Sequence, residues 1–346
     1  MDLNFRSDNE SPAAPAIMAA LAQANEDTAQ AYAEDAWSAR LDAAFSELFE
    51  TDTTVIPVST GTAANAMALA SVTPPWGSVY CHQNAHILND ESGAPEFFGN
   101  GLRLVPIDGA DGKFTAADLE RLVHANQGHG VHSYLPAAVS LTQSSESGTV
   151  YRPDEIAAIC AVASRRAMAC HMDGARFANA IARLGCRPAD TTWRAGIELL
   201  SFGASKNGCL AAEALLLFGA AASRERAGYA ERLRKRSGHL LSKMRYLSAQ
   251  LLAYIQDDLW LTMAGQANAQ AAVFAEAVNA HAEASLEFPV EANEVFVKWS
   301  PQGFDRLRAA GMQFLGWPGR DDLARFVFSY STRKEETVAL CEALGS

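Results

Sequence analysis

AMACHMDGARFANA, Ala167 to Ala180, joins a β-rich run to a helix across an acidic turn. Its β-rich start carries Asp173 to the carboxyl end of a strand, and Gly174 opens a helix immediately afterwards. In open α/β sheets that rim is where ligands bind. The plainer role for Asp173 is a helix cap, a common use of aspartate at a strand-to-helix turn.

Two other stretches repeat this strand-then-turn pattern. LLSFGASKNG, Leu199 to Gly208, ends a second β-rich run in small residues around Lys206, 33 positions after Asp173. A lysine between Ser205 and Gly208 can lie against a bound ring, although lysine is more often simply solvated. VIPVSTGTAANAMALA, Val55 to Ala70, reads as strand, tight Ser59-Thr60-Gly61-Thr62 turn and alanine-rich helix. Amides and hydroxyls at such a helix start make a phosphate site. Without a GxxxxGK[ST] lysine or GxGxxG spacing, it fits one small phosphate monoester better than ATP or a dinucleotide. A phosphate cradle, a later strand-end aspartate and a still later strand-end lysine are together what pyridoxal 5'-phosphate requires. The lysine forms the Schiff base, and the aspartate keeps the pyridine nitrogen protonated so that the ring acts as an electron sink.

The surrounding chain is consistent with that sheet. β-rich runs occur at 55–59, 78–81, 102–107, 137–142, 167–172, 199–203 and 214–218, most of them separated by helical segments. That alternation predicts a mainly parallel seven-stranded sheet covered on both faces. Two helices, 13–25 and 35–49, precede it. Thr115 with Asp118, and Pro153-Asp154-Glu155, start two of the intervening helices. From Arg224 to about Ala284 the pattern is almost wholly helical, broken at Gly265, and a short α+β pattern follows with strands at 295–299 and 325–330. The expected division is an arm over 1–12, a large α/β domain over 13–245 and a small C-terminal α+β domain over 246–346.

Composition excludes other classes. The 346 residues carry 40 acidic and 28 basic side chains, a net charge of −12, so a nucleic-acid partner is not expected. The longest uncharged apolar run, Ala214–Ala222, falls well short of the ~20 residues of a membrane span. The charged start MDLNFRSDNES is unlike a signal peptide, and a cytoplasmic location is expected. Six cysteines without CxxC spacing and eight histidines without HxH or HxxxH pairs point to no metal and no disulfides.

In order, TGTAAN, AHILNDESGAPEFF, HMDGARFANA and FGASKNG resemble the low-specificity L-threonine aldolases. These, with the phenylserine aldolases, form part of the β-eliminating lyase branch of fold type I pyridoxal enzymes. The resemblance spans nearly the whole chain, from Ser7–Asn9 to ARFVFSYSTRKEE, and is nearest to the bacterial subgroup with the VYRPDEI and SKMRYLSAQ segments. It implies Lys206 as the cofactor lysine, Asp173 as the partner of the pyridine nitrogen, and Gly61 with Thr62 as the phosphate cup. Arg176 would lie beside the cofactor and His86 would stack on it. His132, in HGVHSYLP, falls where the family places a second active-site histidine. Arg325 and Ser7 stand where the substrate carboxylate is gripped, a task suited to an arginine fork. Tyr32, a further substrate-binding candidate, and Asp35 in YAED match a YGDD-like loop, with Ala33 in the glycine position and Glu34 in place of the first aspartate. In LTQSSESGTVY, Gln143-Ser144-Ser145 replaces an Asn-Thr-His run, so the histidine there is missing.

The activity implied is cleavage of an L-β-hydroxy-α-amino acid to glycine and an aldehyde, with His86, His132, Asp90 and Glu91 as candidates for handling the hydroxyl proton. Rival readings are another pyridoxal lyase or an aminotransferase acting on an aromatic amino acid, or a catalytically silent protein of this fold. The resemblance also implies a homotetramer built from dimers, with the Arg224–Arg245 segment as a candidate for reaching a neighbouring subunit.

Overall fold

The computed structural model describes residues 3–126, 128 and 130–345. Its centre is a seven-stranded sheet in the order Thr53–Val58, Glu213–Phe218, Leu199–Gly203, Ala169–Gly174, Leu135–Thr142, Gly77–His82 and Arg103–Ile107. All seven expected runs are present, with ends shifted by a residue or two. Only Glu213–Phe218 runs against the others.

Side chains alternate across this sheet with the two-residue period of a strand. Val55, Tyr80, Val139, Leu200 and Leu216 enter the larger core on one face. Ile56, Val79, Ala138, Leu199 and Leu215 enter a second core on the other. The alanine-rich helix Gly61–Val72 lies in that second core, with every residue from Ala63 to Ala70 buried. A helix enclosed on all sides needs small side chains to let its neighbours approach, which accounts for the alanines.

A four-stranded antiparallel sheet, Leu315–Trp317, Arg320–Val327, Glu294–Lys298 and Ser285–Leu286, forms the smaller α+β part with the helices Pro301–Ala309 and Lys334–Leu344. The N-terminal arm is tied to it: Leu3–Asn4 pairs in parallel with Met312–Gln313, and Val327 donates its N–H to the Phe5 carbonyl. The division expected near residue 245 falls ahead of the helix Arg245–Ile255, whose Leu251, Leu252 and Tyr254 still pack in the larger core. Packing changes sides inside the helix Leu259–Ala280, where Met263 and Ala264 belong to the larger core but Phe274 and Val278 to the smaller.

Three local expectations are corrected. No break occurs at Gly265, because Leu259–Ala280 runs through it unbroken. Burial of Trp260, Met263, Ala264 and Ala267 on either side offsets glycine's cost of about 1 kcal/mol. The interruptions come earlier, at residues 237–244 and at Asp257 and Asp258, which have positive φ. The helix expected from Asp35 starts later, as a short turn at Ser38–Arg40 leading into Leu41–Phe49. Asp35 instead accepts from the Ser38 N–H and hydroxyl, both at 2.8 Å. The strand expected over 325–330 is Arg320–Val327; its charged start is held by an Arg320–Asp322 ion pair, so the apolar pattern begins late.

Candidate active site

Strand register brings the key side chains to one edge. Thr142 pairs with Asp173, Asp173 with Ser201, and Gly203 with Glu213, which also pairs with Val58. The turns after Val58, His82, Thr142, Gly174 and Gly203 therefore open on the same side. Gly203 makes this closeness possible: a Cβ there would lie 2.4 Å from the Ala175 carbonyl oxygen, so the strand before Lys206 meets the turn after Asp173 only as glycine.

Asp173 is buried. One carboxylate oxygen accepts from the Ala175 N–H at 3.0 Å and the other from the Asn65 amide at 2.9 Å. It is not the cap of the next helix, Phe177–Leu184, whose N-cap is Arg176. The same Asn65 amide donates to Glu91 at 2.8 Å, and Glu91 meets His86 Nδ1 at 2.9 Å. A chain of contacts thus runs His86, Glu91, Asn65, Asp173. The hydrogen bond to Glu91 pulls the His86 imidazole above its ordinary value; burial opposes this, while the charges of Glu146, Asp173 and Glu91 support it.

Asp90, a candidate with Glu91 from the sequence, is corrected to a surface residue. It ends the one-turn helix His86–Asn89 with its side chain exposed, and the adjacent Glu91 turns inward instead.

Lys206 sits half-buried in the turn Ser205–Asn207 and makes no hydrogen bond or ion pair among the described residues. Its turn is held by neighbours: Asn207 donates to the Tyr254 hydroxyl and the Trp260 carbonyl, both at 2.8 Å, and Gly208 takes a left-handed φ of 101°. Across the site, Gly61 and Thr62 begin their helix behind the Thr60 N-cap, and neither amide has an acceptor among the described residues. Ser59, at the foot of that turn, meets His239 Nδ1 at 3.0 Å.

Arg176, Arg325 and Ser7 meet a third group of residues. Arg176 is buried and forks onto Asp8 at 2.7 and 3.0 Å, with Glu294 at 3.2 Å on its remaining nitrogen. Burial works against the Asp8 charge, but Arg176, Lys206 and the hydrogen bonds from Arg176 and Asn293 outweigh it and hold the carboxyl below the usual range. Arg325 lies 3.5 Å from Glu294, and its Nε has no hydrogen-bond partner among the described residues. Ser7 accepts from the Asn9 N–H and caps the short turn that presents Asp8. The arm thus brings Asp8, the residue after Ser7, onto Arg176.

Two candidates are not brought here by this chain. His132 is exposed in the turn Gly130–His132, just before the strand Leu135–Thr142. The eight residues of that strand place His132 roughly 25 Å from the edge where Thr142 faces Asp173. Tyr32 is also exposed, beneath Lys235 Nζ at 4.8 Å. Its loop explains the family glycine: Tyr32 and Ala33 have φ of 57° and 72°, a left-handed conformation that alanine adopts only under strain. Arg245, in the segment proposed to reach a neighbour, is instead buried and donates to the Ala24 carbonyl at 2.9 Å.

The sequence reading missed Asn65, Asp8, Glu294, Glu146 and Glu213. Asn65 left a signal, as the one polar residue in the buried run Ala63–Ala70. Glu146 stands in the segment where the histidine is missing. Enclosure raises its carboxyl; Lys206 and Arg176 pull it down, whereas Glu294 and Asp173 push it up.

A profile of the beta-eliminating lyase family matches residues 4–301. The low specificity L-threonine aldolase of Pseudomonas aeruginosa is 44% identical over 328 residues, covering 95% of this chain and 93% of that one. That of another Pseudomonas species is 42% identical over 330 residues, with the same shares covered. The structure of Leishmania major threonine aldolase superposes with a TM-score of 0.91 at 26% identity, covering 99% of this chain and 98% of that one.

Proposed function

The chain belongs to the beta-eliminating lyases, on their low-specificity L-threonine aldolase branch, and from that membership we propose that it is a pyridoxal 5'-phosphate enzyme. It cleaves L-β-hydroxy-α-amino acids such as L-threonine, L-allo-threonine and L-phenylserine, reversibly, to glycine and an aldehyde. The observation that carries this reading is the meeting of Lys206, Asp173 and the Gly61–Thr62 helix start at one sheet edge. The residues fit the cofactor: a buried carboxylate suits a protonated ring nitrogen, and among the described residues two helix-start amides lack acceptors, which suits its phosphate, and Lys206 has no partner.

When bound, the cofactor supplies a protonated ring that takes up the electron pair of the broken Cα–Cβ bond. Asp173 holds the ring proton, and Asn65 with the Ala175 N–H keeps that carboxylate in place. Arg325 grips the substrate carboxylate with its unpartnered Nε, while Arg176, neutralised by Asp8 and Glu294, braces the arm that carries Ser7. Glu91 occupies His86 Nδ1, which leaves Nε2 to exchange a proton with the β-hydroxyl. Glu146 is a second acid whose charge bears on His86, and burial raises its carboxyl. Any role for His132 requires the loop of a neighbouring subunit. That fits the expected homotetramer, and its flanking Val131, Tyr134 and Leu135 are exposed apolar residues of the kind a second copy covers. A cytoplasmic location agrees with six unpaired cysteines.

Product analysis tests the reading. L-Threonine should give glycine and acetaldehyde, and L-phenylserine glycine and benzaldehyde at a faster rate, because the released carbonyl is conjugated. Release of ammonia with pyruvate, or of a keto acid, would assign the site to another lyase or to an aminotransferase.

A further inference from the structure

Glu294 begins the strand Glu294–Lys298 of the smaller sheet, opposite Val327, and Arg325 stands two residues away on the paired strand, opposite Phe296. Residues two apart on a strand share a face. Val295, Val297, Ala324 and Phe326 fill the smaller core on one side, so Glu294 and Arg325 are turned to the other, toward Arg176. There the Glu294 side chain is fully buried, at 0% exposure, between the two guanidiniums: Oε2 is 3.2 Å from Arg176 and Oε1 is 3.5 Å from Arg325. Arg176 is already forked onto Asp8 at 2.7 and 3.0 Å.

Two carboxylates thus face two guanidiniums, and this buried group is balanced before any ligand arrives. A third carboxylate must displace one of the contacts. The contact that yields first is the 3.5 Å one, which lies outside the roughly 2.7–3.2 Å of a good N–H···O bond. Arg325 is also the more open of the two arginines, its side chain 20% exposed against 6% for Arg176, and its Nε has no hydrogen-bond partner among the described residues. Glu294 keeps Arg176 when Arg325 turns to a ligand, so no buried charge is orphaned by the exchange.

We infer that Glu294 is a competitor built into the carboxylate grip: it holds one nitrogen of Arg325 between ligands and thereby weakens the hold on an amino-acid carboxylate. The aldolase reading, on which this role of Glu294 rests for the task of Arg325, gives the competition a purpose. Glycine carries the same α-carboxylate as the substrate it comes from, so an unopposed arginine would retain the product as firmly as it takes up L-threonine. A standing internal carboxylate lowers both affinities and lets glycine leave.

The test titrates glycine into the pyridoxal phosphate-loaded enzyme and reads binding as protection of Arg325 from phenylglyoxal, mapped by mass spectrometry. Methylamine, an amine without the carboxylate, is the control and should give no protection. Glu294→Gln removes the competing charge and should lower the glycine concentration for half protection about fivefold, the usual upper magnitude for a partly exposed ion pair. Methylamine binding, followed by visible absorbance, should be unchanged. Glu294→Asp draws the carboxylate back by one methylene and should lower the glycine midpoint by a smaller factor, which decides the matter where the glutamine variant does not fold. A midpoint that stays fixed or rises overturns the role of Glu294, as does an equal shift for methylamine. If glycine never protects wild-type Arg325, the carboxylate grip falls and the role of Glu294 with it. If L-threonine yields no aldehyde, the aldolase reading fails while the glycine titration still stands.

Discussion

The two edges of the central sheet differ in what they gather. At the carboxyl edge Asp173, Lys206, His86, Glu146 and Glu213 converge from separate strands, and the arm adds Asp8 beside Arg176. At the amino edge a cleft of about 690 Å³ is lined largely by Ala157, Ala161, Cys160, Ala167, Ala169 and Cys170, with Arg226 paired to Glu198 at its side. That cleft has room but few polar groups aimed at a common point, and its charges already satisfy one another. Strand direction is the cause, because parallel strands deliver their following turns, with capping residues and glycines, to one side only.

Substitutions sharpen that contrast. Asp173→Asn should lower kcat by about 100-fold or more while cofactor absorbance persists, as for loss of a key electrostatic group; near-normal turnover would reduce Asp173 to a turn residue. Arg325→Ala should raise KM for the amino acid by about 10- to 100-fold, the worth of a charged hydrogen-bond pair, with a smaller fall in kcat. An unchanged KM would place the carboxylate grip elsewhere.

Glu91→Gln bears on His86. Glu91 raises the imidazole, so its removal should move the acid limb of the kcat/KM profile to lower pH, because the neutral ring then persists to lower pH. A limb that stays fixed, or moves up, would exclude His86 as the titrating base. At the amino edge Arg226→Ala should leave turnover within about twofold, since its ion pair with Glu198 is partly exposed. A tenfold loss would mean that this edge contributes to the chemistry.

The sheet was legible because each strand is an apolar run ended by a turn signal, and Asp173 and Lys206 were legible because they stand at those ends. The alternation that marks strands does not reveal which side a short turn faces. Asp90 and Glu91 are adjacent acids on a one-turn helix, and only the packing of Asn65 against Asp173 selects Glu91. His132 reads as an active-site histidine by position in the chain, yet it precedes its strand, so this chain leaves it at the opposite edge. Asp8 and Glu294 have partners far away in sequence, and their pairing emerges only once the arm and the smaller sheet are in place.

Borohydride reduction of the pyridoxal phosphate-loaded enzyme, followed by mapping of the labelled peptide, shows whether the carboxyl-edge lysine carries the cofactor. A single pyridoxyl group is expected on Lys206, with no adduct in Lys206→Ala and a folded variant that still binds the cofactor without the covalent link. A label on another lysine, or an undiminished adduct in Lys206→Ala, would contradict it.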